Sequence, residues 1–151
     1  MIRIRSSRLS DGQRLVSIWR SAVDATHDFV DPADLEAIDR EVQAFLPECS
    51  VWLAVDEADE GVGFMGLTGS RIESLFIDAS YRGIGVGRQL VEFALALASN
   101  TVLTTEVNEQ NDQAVGFYSH LGFEMTGWTP TDEEGRPYPL LHLRLAAKED
   151  T

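Results

Sequence analysis

The sequence predicts an α+β domain in which a mixed β-sheet of about seven strands is flanked by four helices. After two helical stretches, several β-rich stretches follow one another with only tight turns between them, which predicts an antiparallel meander. Further along the chain, strand-like and helix-like stretches alternate, which is typical of βαβ units with parallel strands. These patterns give the element order β-α-α-β-β-β-α-β-α-β-β, with helices on both faces of the sheet.

The first elements are predicted from periodicity and from capping residues. Ile2–Arg5 alternates apolar and basic residues, which indicates a short first strand. Ser10 has a glutamine three residues later, a capping-box pattern that predicts the start of the first helix. Asp31 followed by Pro32 predicts the start of a second helix, because proline is favoured at the first helical position. Pro47 is expected to end that helix.

The later elements follow from the same periodicities. The predicted strands are Val51–Val55, Val62–Leu67, Arg71–Asp78, Val102–Val107, Phe123–Trp128 and Tyr138–Leu145. Apolar residues at helical spacing predict helices over Gly85–Ser99 and Asp112–Leu121, with Gly122 as the C-terminal cap of the second. Residues 1–151 are expected to form a single domain, with residues 146–151 as a frayed tail.

Composition excludes several classes of protein. The chain has 44% hydrophobic and 25% charged residues, which is ordinary for a soluble globular domain, and it has no apolar run long enough to span a membrane. Its single cysteine, Cys49, excludes an internal disulfide and a thiolate zinc cluster, so the cytoplasm is the expected compartment and no metal is expected. A net charge of −13 disfavours nucleic acid as a partner and favours cationic ones.

A glycine-rich loop lies between a predicted strand and a predicted helix. Its glycines alternate with other residues in the run Arg82-Gly83-Ile84-Gly85-Val86-Gly87-Arg88. Glycine backbone can turn with its N–H groups on one side, and the following helix N-terminus favours an anion, so the loop predicts a phosphate or pyrophosphate site. The loop lacks the lysine of a P-loop, and arginine replaces the last glycine of the dinucleotide fingerprint. A nucleotide-binding module is therefore disfavoured.

Two motifs resemble those of the GCN5-related N-acetyltransferases. The segment from Ser74 through Gly87 is similar to the family's motif A, and the segment from Asn111 through Phe123 is similar to its motif B. The element order also matches the family's fold, so the resemblance covers the whole chain. Ile18–Phe29, Val107–Asn111 and Pro137–Leu141 resemble small bacterial members of the family.

The resemblance implies binding of acetyl-CoA and direct transfer of its acetyl group to a primary amine. The resemblance implies that the backbone of Leu75, Phe76 and Ile77 binds the pantetheine arm of acetyl-CoA. It implies that the pyrophosphate is bound by the backbone of Arg82, Gly83, Ile84, Gly85, Val86, Gly87 and Arg88. It also implies that the pantetheine and adenine groups are lined by Asn111, Ala114 and Phe117. Tyr118 stands where the family often has a general acid, and it could protonate the sulfur of the coenzyme.

The general base has two candidates in the sequence. Glu73 lies two residues before Leu75 on the same predicted strand and therefore shares a face with it. His27 ends the first predicted helix beside acidic residues, and it could act on substrate or cap the helix. His142 is expected to be an ordinary strand residue.

The acceptor is expected to bind between the first two helices and the loop Thr129–Pro139. Phe29, Trp128 and Tyr138 could wall this site, because aromatic rings near carboxylates suit an ammonium group. The acceptor could be a protein lysine, a protein N-terminus, or a small amine or antibiotic. A non-catalytic acyl-CoA sensor on the same fold is the competing function, and the protein could be a monomer or a homodimer.

Overall fold

A computed structural model describes residues 1–26, 28–98 and 102–145. In these ranges the chain forms seven strands and four α-helices in the predicted order. The strands are β1 (Arg3–Ser6), β2 (Trp52–Val55), β3 (Gly61–Thr68), β4 (Arg71–Ile77), β5 (Leu103–Asn108), β6 (Glu124–Thr129) and β7 (Leu140–Leu145). The helices are α1 (Gly12–Thr26), α2 (Pro32–Phe45), α3 (Val86–Leu97) and α4 (Asp112–His120). The sheet has the strand order β1-β2-β3-β4-β5-β7-β6, so the predicted mixed sheet is confirmed.

The start of the first helix differs from the sequence prediction. Ser10 does not cap α1, because it lies within a 3₁₀ turn, Leu9–Asp11, that precedes the helix. The Asp11 carboxylate accepts a hydrogen bond from the backbone N–H of Arg8 at 2.7 Å and lies 2.9 Å from the Arg5 guanidinium. The hydrogen bond with the Arg5 side chain lowers the pKa of Asp11 most, and the hydrogen bond from the Arg8 N–H lowers it further. Together they hold this pKa below its usual value, although partial burial acts in the opposite direction. The ion pair therefore sets the local structure here.

Two other predicted caps are confirmed. The Asp31 side chain accepts a hydrogen bond from the N–H of Ala33 at 2.9 Å, and Pro32 is the first residue of α2. After α4, Gly122 has a φ of 100°, and its N–H donates to the carbonyl of Ser119 at 3.0 Å. A left-handed residue just past a helix end is the conformation for which glycine is favoured.

The described chain divides into two compact units, with the β3–β4 hairpin and α3 contributing to both. The first unit comprises Met1–Gly66 and Ser74–Leu90. In it β1 pairs with β2 and β2 with β3, both antiparallel. Its core contains the α1 residues Leu15 and Ile18, both fully buried, and residues of β2 and β3. The apolar stripe of α2 packs against that core and buries the hydrophobic face that its periodicity predicts.

The second unit comprises Leu67–Glu73 and the described residues from Val91 onward. In it the start of β4 runs parallel to β5, and β7 pairs antiparallel with both β5 and β6. Alternate residues of β5 are buried, namely Leu103, Thr105 and Val107, and α4 packs against this strand. Because strand side chains alternate between the two faces, the residues between them point to the opposite, more open face.

Candidate active site

The glycine loop has the backbone that an anion cradle needs. Gly83 and Gly85 have φ values of 77° and 88°, a region in which residues with a side chain are strained. A Cβ atom built on either glycine has no neighbouring atom within 4 Å, so the space above the loop is open. The loop leads directly into α3, whose first N–H groups have no partner within the helix. The loop and helix start therefore fit a pyrophosphate group, as the sequence predicts.

The turn before the loop is fixed by the residue that directly follows β4. Asp78 is buried, and its carboxylate accepts a hydrogen bond from the N–H of Ser80 at 2.9 Å. Burial alone would raise the pKa of Asp78, but the Ser80 N–H and the charge of Arg14 outweigh it and lower that pKa. Asp78 is not among the site residues predicted from the sequence, although an aspartate directly before a turn is a recognisable capping signal.

The β4 residues implied in pantetheine binding are half-buried. Phe76 packs against Phe64 with ring centroids 5.6 Å apart, so its partly buried side chain packs against the core of the first unit. Gly63 on β3 allows the end of β4 to approach closely, because a Cβ at position 63 would lie 2.7 Å from Cδ1 of Ile77 and 3.2 Å from the carbonyl oxygen of Phe76. This close approach fixes the position of the end of β4 within the first unit.

Tyr118 is buried on α4, with 6% of its surface exposed. The rings of Phe117 and Phe123 pack against it edge to face, each with a centroid 5.1 Å away. Burial raises the pKa of the Tyr118 phenol to about 12, although a side-chain hydrogen bond with Thr105 acts in the opposite direction. The phenol is therefore protonated at neutral pH, as a proton donor must be.

Other predicted residues of α4 have a structural role as well. The Asn111 side chain accepts a hydrogen bond from the N–H of Ala114 at 3.1 Å and caps the helix. Ala114 and Phe117 are half-buried on the same helix. Their roles toward acetyl-CoA stay predictions.

Of the two predicted bases, only Glu73 lies within the described residues. Glu73 is exposed on β4, two residues after Arg71 and therefore on the same face of the strand. His27 lies outside the described residues. Neither candidate is tested by the geometry.

The three predicted acceptor-site aromatics have different surroundings. Phe29 is half-buried in the first unit. Tyr138 is 7% exposed in the second unit, whereas Trp128 is 53% exposed on β6 and its indole N–H donates to the Glu109 carboxylate. An exposed indole held by a hydrogen bond is compatible with a position at the rim of an acceptor site.

A pocket of about 200 Å³ opens on the second unit. It is lined by Arg71, Thr104, Thr105, Glu106, Thr126, His142 and Leu143. Direct cross-strand pairing of Glu106 with His142, and of Arg71 with Thr104, places these four residues on one face of the sheet. Oε1 of Glu106 lies 3.3 Å from Nη2 of Arg71 and 3.4 Å from Nδ1 of His142.

This charged cluster is not among the features predicted from the sequence. Glu106 and His142 were each visible as polar residues at alternate positions of a predicted strand. Nothing local, however, indicates that β5 and β7 are neighbours or gives their register.

Among the described residues, no group of three or more His, Cys, Asp or Glu side chains is arranged to hold a metal ion. No helix within the described ranges is long and apolar enough to cross a membrane.

Comparisons with known proteins agree with these features. The sequence profile of the acetyltransferase (GNAT) domain matches residues 20–138. The peptidyl-lysine N-acetyltransferase YjaB of Salmonella typhimurium is 54% identical over 143 residues, which cover 95% of this chain and 97% of that protein. The solution structure of apo YjaB from Escherichia coli matches with a TM-score of 0.92 and 51% identity, and the match covers 98% of this chain and 99% of that one.

A more distant structure shows the same fold with the coenzyme bound. The PaiA N-acetyltransferase of Thermoplasma acidophilum, solved in complex with coenzyme A, matches with a TM-score of 0.74 at 16% identity, over 98% of this chain and 99% of that one. The family model and the similar relatives confirm the family membership that the two motifs indicate. The chain belongs to the GNAT family and is an acetyl-CoA-dependent N-acetyltransferase.

Proposed function

We propose that the protein acetylates the ε-amino group of lysine side chains in other proteins. The observation that carries this proposal is the 54% identity, over nearly the full length of both chains, to a relative named as a peptidyl-lysine N-acetyltransferase. The net charge of −13 supports it, because an acidic surface attracts basic, lysine-bearing segments. We expect the reaction to take place in the cytoplasm.

The glycine loop and the end of β4 hold the coenzyme in this proposal. The backbone N–H groups from Arg82 to Arg88 bind the pyrophosphate, and the backbone of Leu75–Ile77 binds the pantetheine arm. Asn111, Ala114 and Phe117 line the pantetheine and adenine side. Acetyl-CoA supplies the acetyl group as a thioester. The open space above Gly83 and Gly85 supports the pyrophosphate assignment.

Tyr118 acts as the general acid. Its phenol carries a proton at neutral pH and gives it to the sulfur as the carbon–sulfur bond breaks, so that the coenzyme leaves as a thiol. The raised pKa, about 12, suits a group that must stay protonated until a thiolate develops beside it. Phe29, Trp128, Tyr138 and the loop Thr129–Pro139 contribute to binding the acceptor.

Three acceptors distinguish the candidate reactions. The purified protein is mixed with acetyl-CoA and one of three amines: a lysine peptide with a blocked N-terminus, a lysine-free peptide with a free N-terminus, or spermidine. Thiol release and mass spectrometry are measured. We expect acetylation of the lysine peptide. Modification of only the N-terminus or only spermidine would contradict the lysine proposal. Coenzyme binding without any transfer would favour a sensor.

A further inference from the structure

We propose that Arg14 and Ser21 of α1 are positioning residues for the coenzyme. Through Asp78 they hold the turn that precedes the glycine loop, and they thereby fix the direction in which the loop presents its N–H groups. This inference rests on the proposed function, in which the loop binds the pyrophosphate, and it adds residues that lie outside the loop. All of these residues belong to the first unit.

Arg14 and Ser21 lie on one face of α1. They are seven residues apart, which is about two turns of an α-helix, and both are half-buried. Ile18 lies between them on the same face, is fully buried and belongs to the core of the first unit. Core packing therefore fixes this face of the helix, so the two polar side chains extend from a rigid element.

Each oxygen of the Asp78 carboxylate has a partner on α1. Nη2 of Arg14 donates to Oδ2 at 2.9 Å, and the Ser21 hydroxyl donates to Oδ1 at 3.4 Å. Oδ1 also accepts a hydrogen bond from the N–H of Ser80 at 2.9 Å. Only 8% of the Asp78 surface is exposed, so water competes little for these bonds. Rotation of the carboxylate would break a contact on one side, and the turn that it caps therefore keeps one orientation.

The Ser21 hydroxyl also holds the backbone of the turn directly. It accepts a hydrogen bond from the N–H of Ala79 at 3.0 Å. The N–H of Tyr81 donates to the carbonyl of Asp78 at 2.8 Å. With the cap on Ser80, each of the three N–H groups in the turn has a partner. Helix α1 and Asp78 therefore hold the turn from its first residue to its last.

One residue joins this turn to the glycine loop. Arg82 is extended, with φ −72° and ψ 152°, and the next residue is the left-handed Gly83. A rotation of the turn would therefore change the direction of the N–H groups in the loop. Hydrogen bonds weaken steeply when the donor points away from its acceptor, so an N–H cradle binds an anion well only in one orientation. The held turn pre-organises the cradle for a pyrophosphate group.

The end of β4 has an anchor of its own. The N–H of Asp78 donates to the carbonyl of Val62 on β3 at 2.9 Å, and the close approach at Gly63 fixes the same strand end. Loss of a contact from α1 should therefore loosen the turn and the loop but leave Leu75–Ile77 in place. This separation predicts that the contacts of α1 affect the affinity for the coenzyme and leave the chemical step unchanged.

The test is the variant Ser21→Ala, which removes the hydroxyl and leaves every charge in place. Alanine is the most favourable residue in a helix, so we expect the variant to fold. Without the Ala79 anchor, fewer molecules hold the turn in the binding orientation, and the apparent affinity falls in proportion. We expect the Kd for coenzyme A, measured by isothermal titration calorimetry, and the KM for acetyl-CoA to rise about tenfold. Both kcat and the KM for the lysine peptide should stay within about twofold of wild type.

Three further variants distinguish positioning from a general effect of substitutions in α1. Ser21→Thr keeps a hydroxyl and should restore the coenzyme A affinity to within about threefold of wild type. Arg14→Lys keeps the charge but has one nitrogen in place of the two that bridge Gly61 and Asp78, so its Kd should also rise about tenfold. Ser17→Ala is the matched control, because the exposed Ser17 hydroxyl donates at 3.1 Å to a carbonyl of its own helix. Its affinity should equal that of wild type.

The outcomes separate this inference from the proposed function. If Ser21→Ala binds coenzyme A as tightly as wild type does, the hydroxyl serves only the fold and the inference is overturned. An equal loss in Ser17→Ala, or no recovery in Ser21→Thr, overturns it as well. So does a loss in Ser21→Ala without one in Gly85→Glu, because the pyrophosphate would then bind away from the loop. A wild type that binds coenzyme A without acetylating the lysine peptide would contradict only the lysine proposal, and the calorimetry would still decide this inference.

Discussion

Nη2 of Arg14 lies 2.9 Å from Oδ2 of Asp78, so the first helix is tied to the residue that follows β4. Nε of the same arginine donates to the carbonyl of Gly61 at 2.7 Å, at the start of β3. On the same helix, the Ser21 hydroxyl accepts a hydrogen bond from the N–H of Ala79 at 3.0 Å. Helix α1 therefore holds the turn that leads into the glycine loop.

The first prediction concerns the stability that this anchor contributes. Replacing Asp78 by alanine removes the ion pair with the half-buried Arg14 and the cap of the following turn. Arg14 keeps only its hydrogen bond to the Gly61 carbonyl and its longer contact with Glu60. We expect the free energy of unfolding to fall by about 2–3 kcal/mol, below the range for a fully buried pair because Arg14 is partly exposed. Chemical denaturation followed by circular dichroism measures the change.

A more exposed ion pair of similar length provides the control. Arg20 and Asp39 lie 2.8 Å apart with 49% and 30% of their side chains exposed, whereas the Asp78 side chain is 11% exposed. Replacing Asp39 by alanine should therefore cost less than about 1 kcal/mol, as is usual for exposed pairs. Equal losses for the two variants would show that the buried position of Asp78 contributes nothing.

The second prediction tests the glycine loop. A glutamate at Gly85 would have room in the folded protein but would place a side chain and a negative charge where a pyrophosphate is proposed to bind. We expect Gly85→Glu to stay folded and to lose coenzyme A binding by about 10²-fold or more, because like charges at a close binding site repel strongly. Isothermal titration calorimetry with coenzyme A measures the affinity.

Gly69, in the turn between β3 and β4, offers a matched substitution. It also has a positive φ, of 59°, and open space around it, so Gly69→Glu adds the same charge and similar backbone strain away from the loop. Its coenzyme A affinity should remain within twofold of wild type. Comparable losses in both variants would assign the effect to strain and not to the anion site.

Local chemistry explains which features could be predicted from the sequence. The Asp31 cap and the left-handed Gly122 follow from residues within one turn of the feature, and both predictions are confirmed. The predicted Ser10 cap is wrong, because Asp11 pairs with Arg5, and Arg5 also contacts Asp59 from the distant β2–β3 turn. Tertiary contacts override a local capping preference there.

The candidate site also contains features that depend on local sequence and features that depend on tertiary contacts. Glycines in a short loop before a helix specify a tight turn locally, so the left-handed backbone of Gly83 and Gly85 could be predicted without a structure. Glu106 and His142 belong to strands that are far apart in sequence and become neighbours only through the register of β5 and β7. Since the sequence does not define that register, the pocket could not be predicted.

The third prediction concerns catalysis by Tyr118. Phenylalanine at this position keeps the edge-to-face packing against Phe117 and Phe123 but removes the proton donor. We expect turnover to fall by about 10²-fold or more, the range for loss of a general acid, with coenzyme A affinity nearly unchanged. Steady-state thiol release measures turnover. A turnover within twofold of wild type would mean that Tyr118 only packs.

The fourth prediction is the effect of the same substitution on stability at alkaline pH. The phenol has a pKa of about 12 in the folded protein, whereas an unfolded tyrosine has one of about 10. Between these values the unfolded chain has lost the proton and the folded chain still holds it, so raising the pH favours unfolding. The stability that this group contributes is therefore complete below about pH 10 and decreases by about 1.4 kcal/mol per pH unit up to about pH 12.

Phenylalanine at position 118 cannot titrate, so the wild type and Tyr118→Phe should exchange their order of stability at high pH. At pH 8 the wild type should be more stable by about 1 kcal/mol, because Tyr118→Phe loses the hydrogen bond with Thr105. The wild type should lose this advantage as the pH rises from 10 and should be the less stable protein above about pH 11. Urea unfolding of both proteins at pH 8, 10 and 11.5 tests this reversal. A constant difference between the two proteins across this range would mean that the phenol titrates alike in the folded and unfolded chains, and that its burial does not raise its pKa.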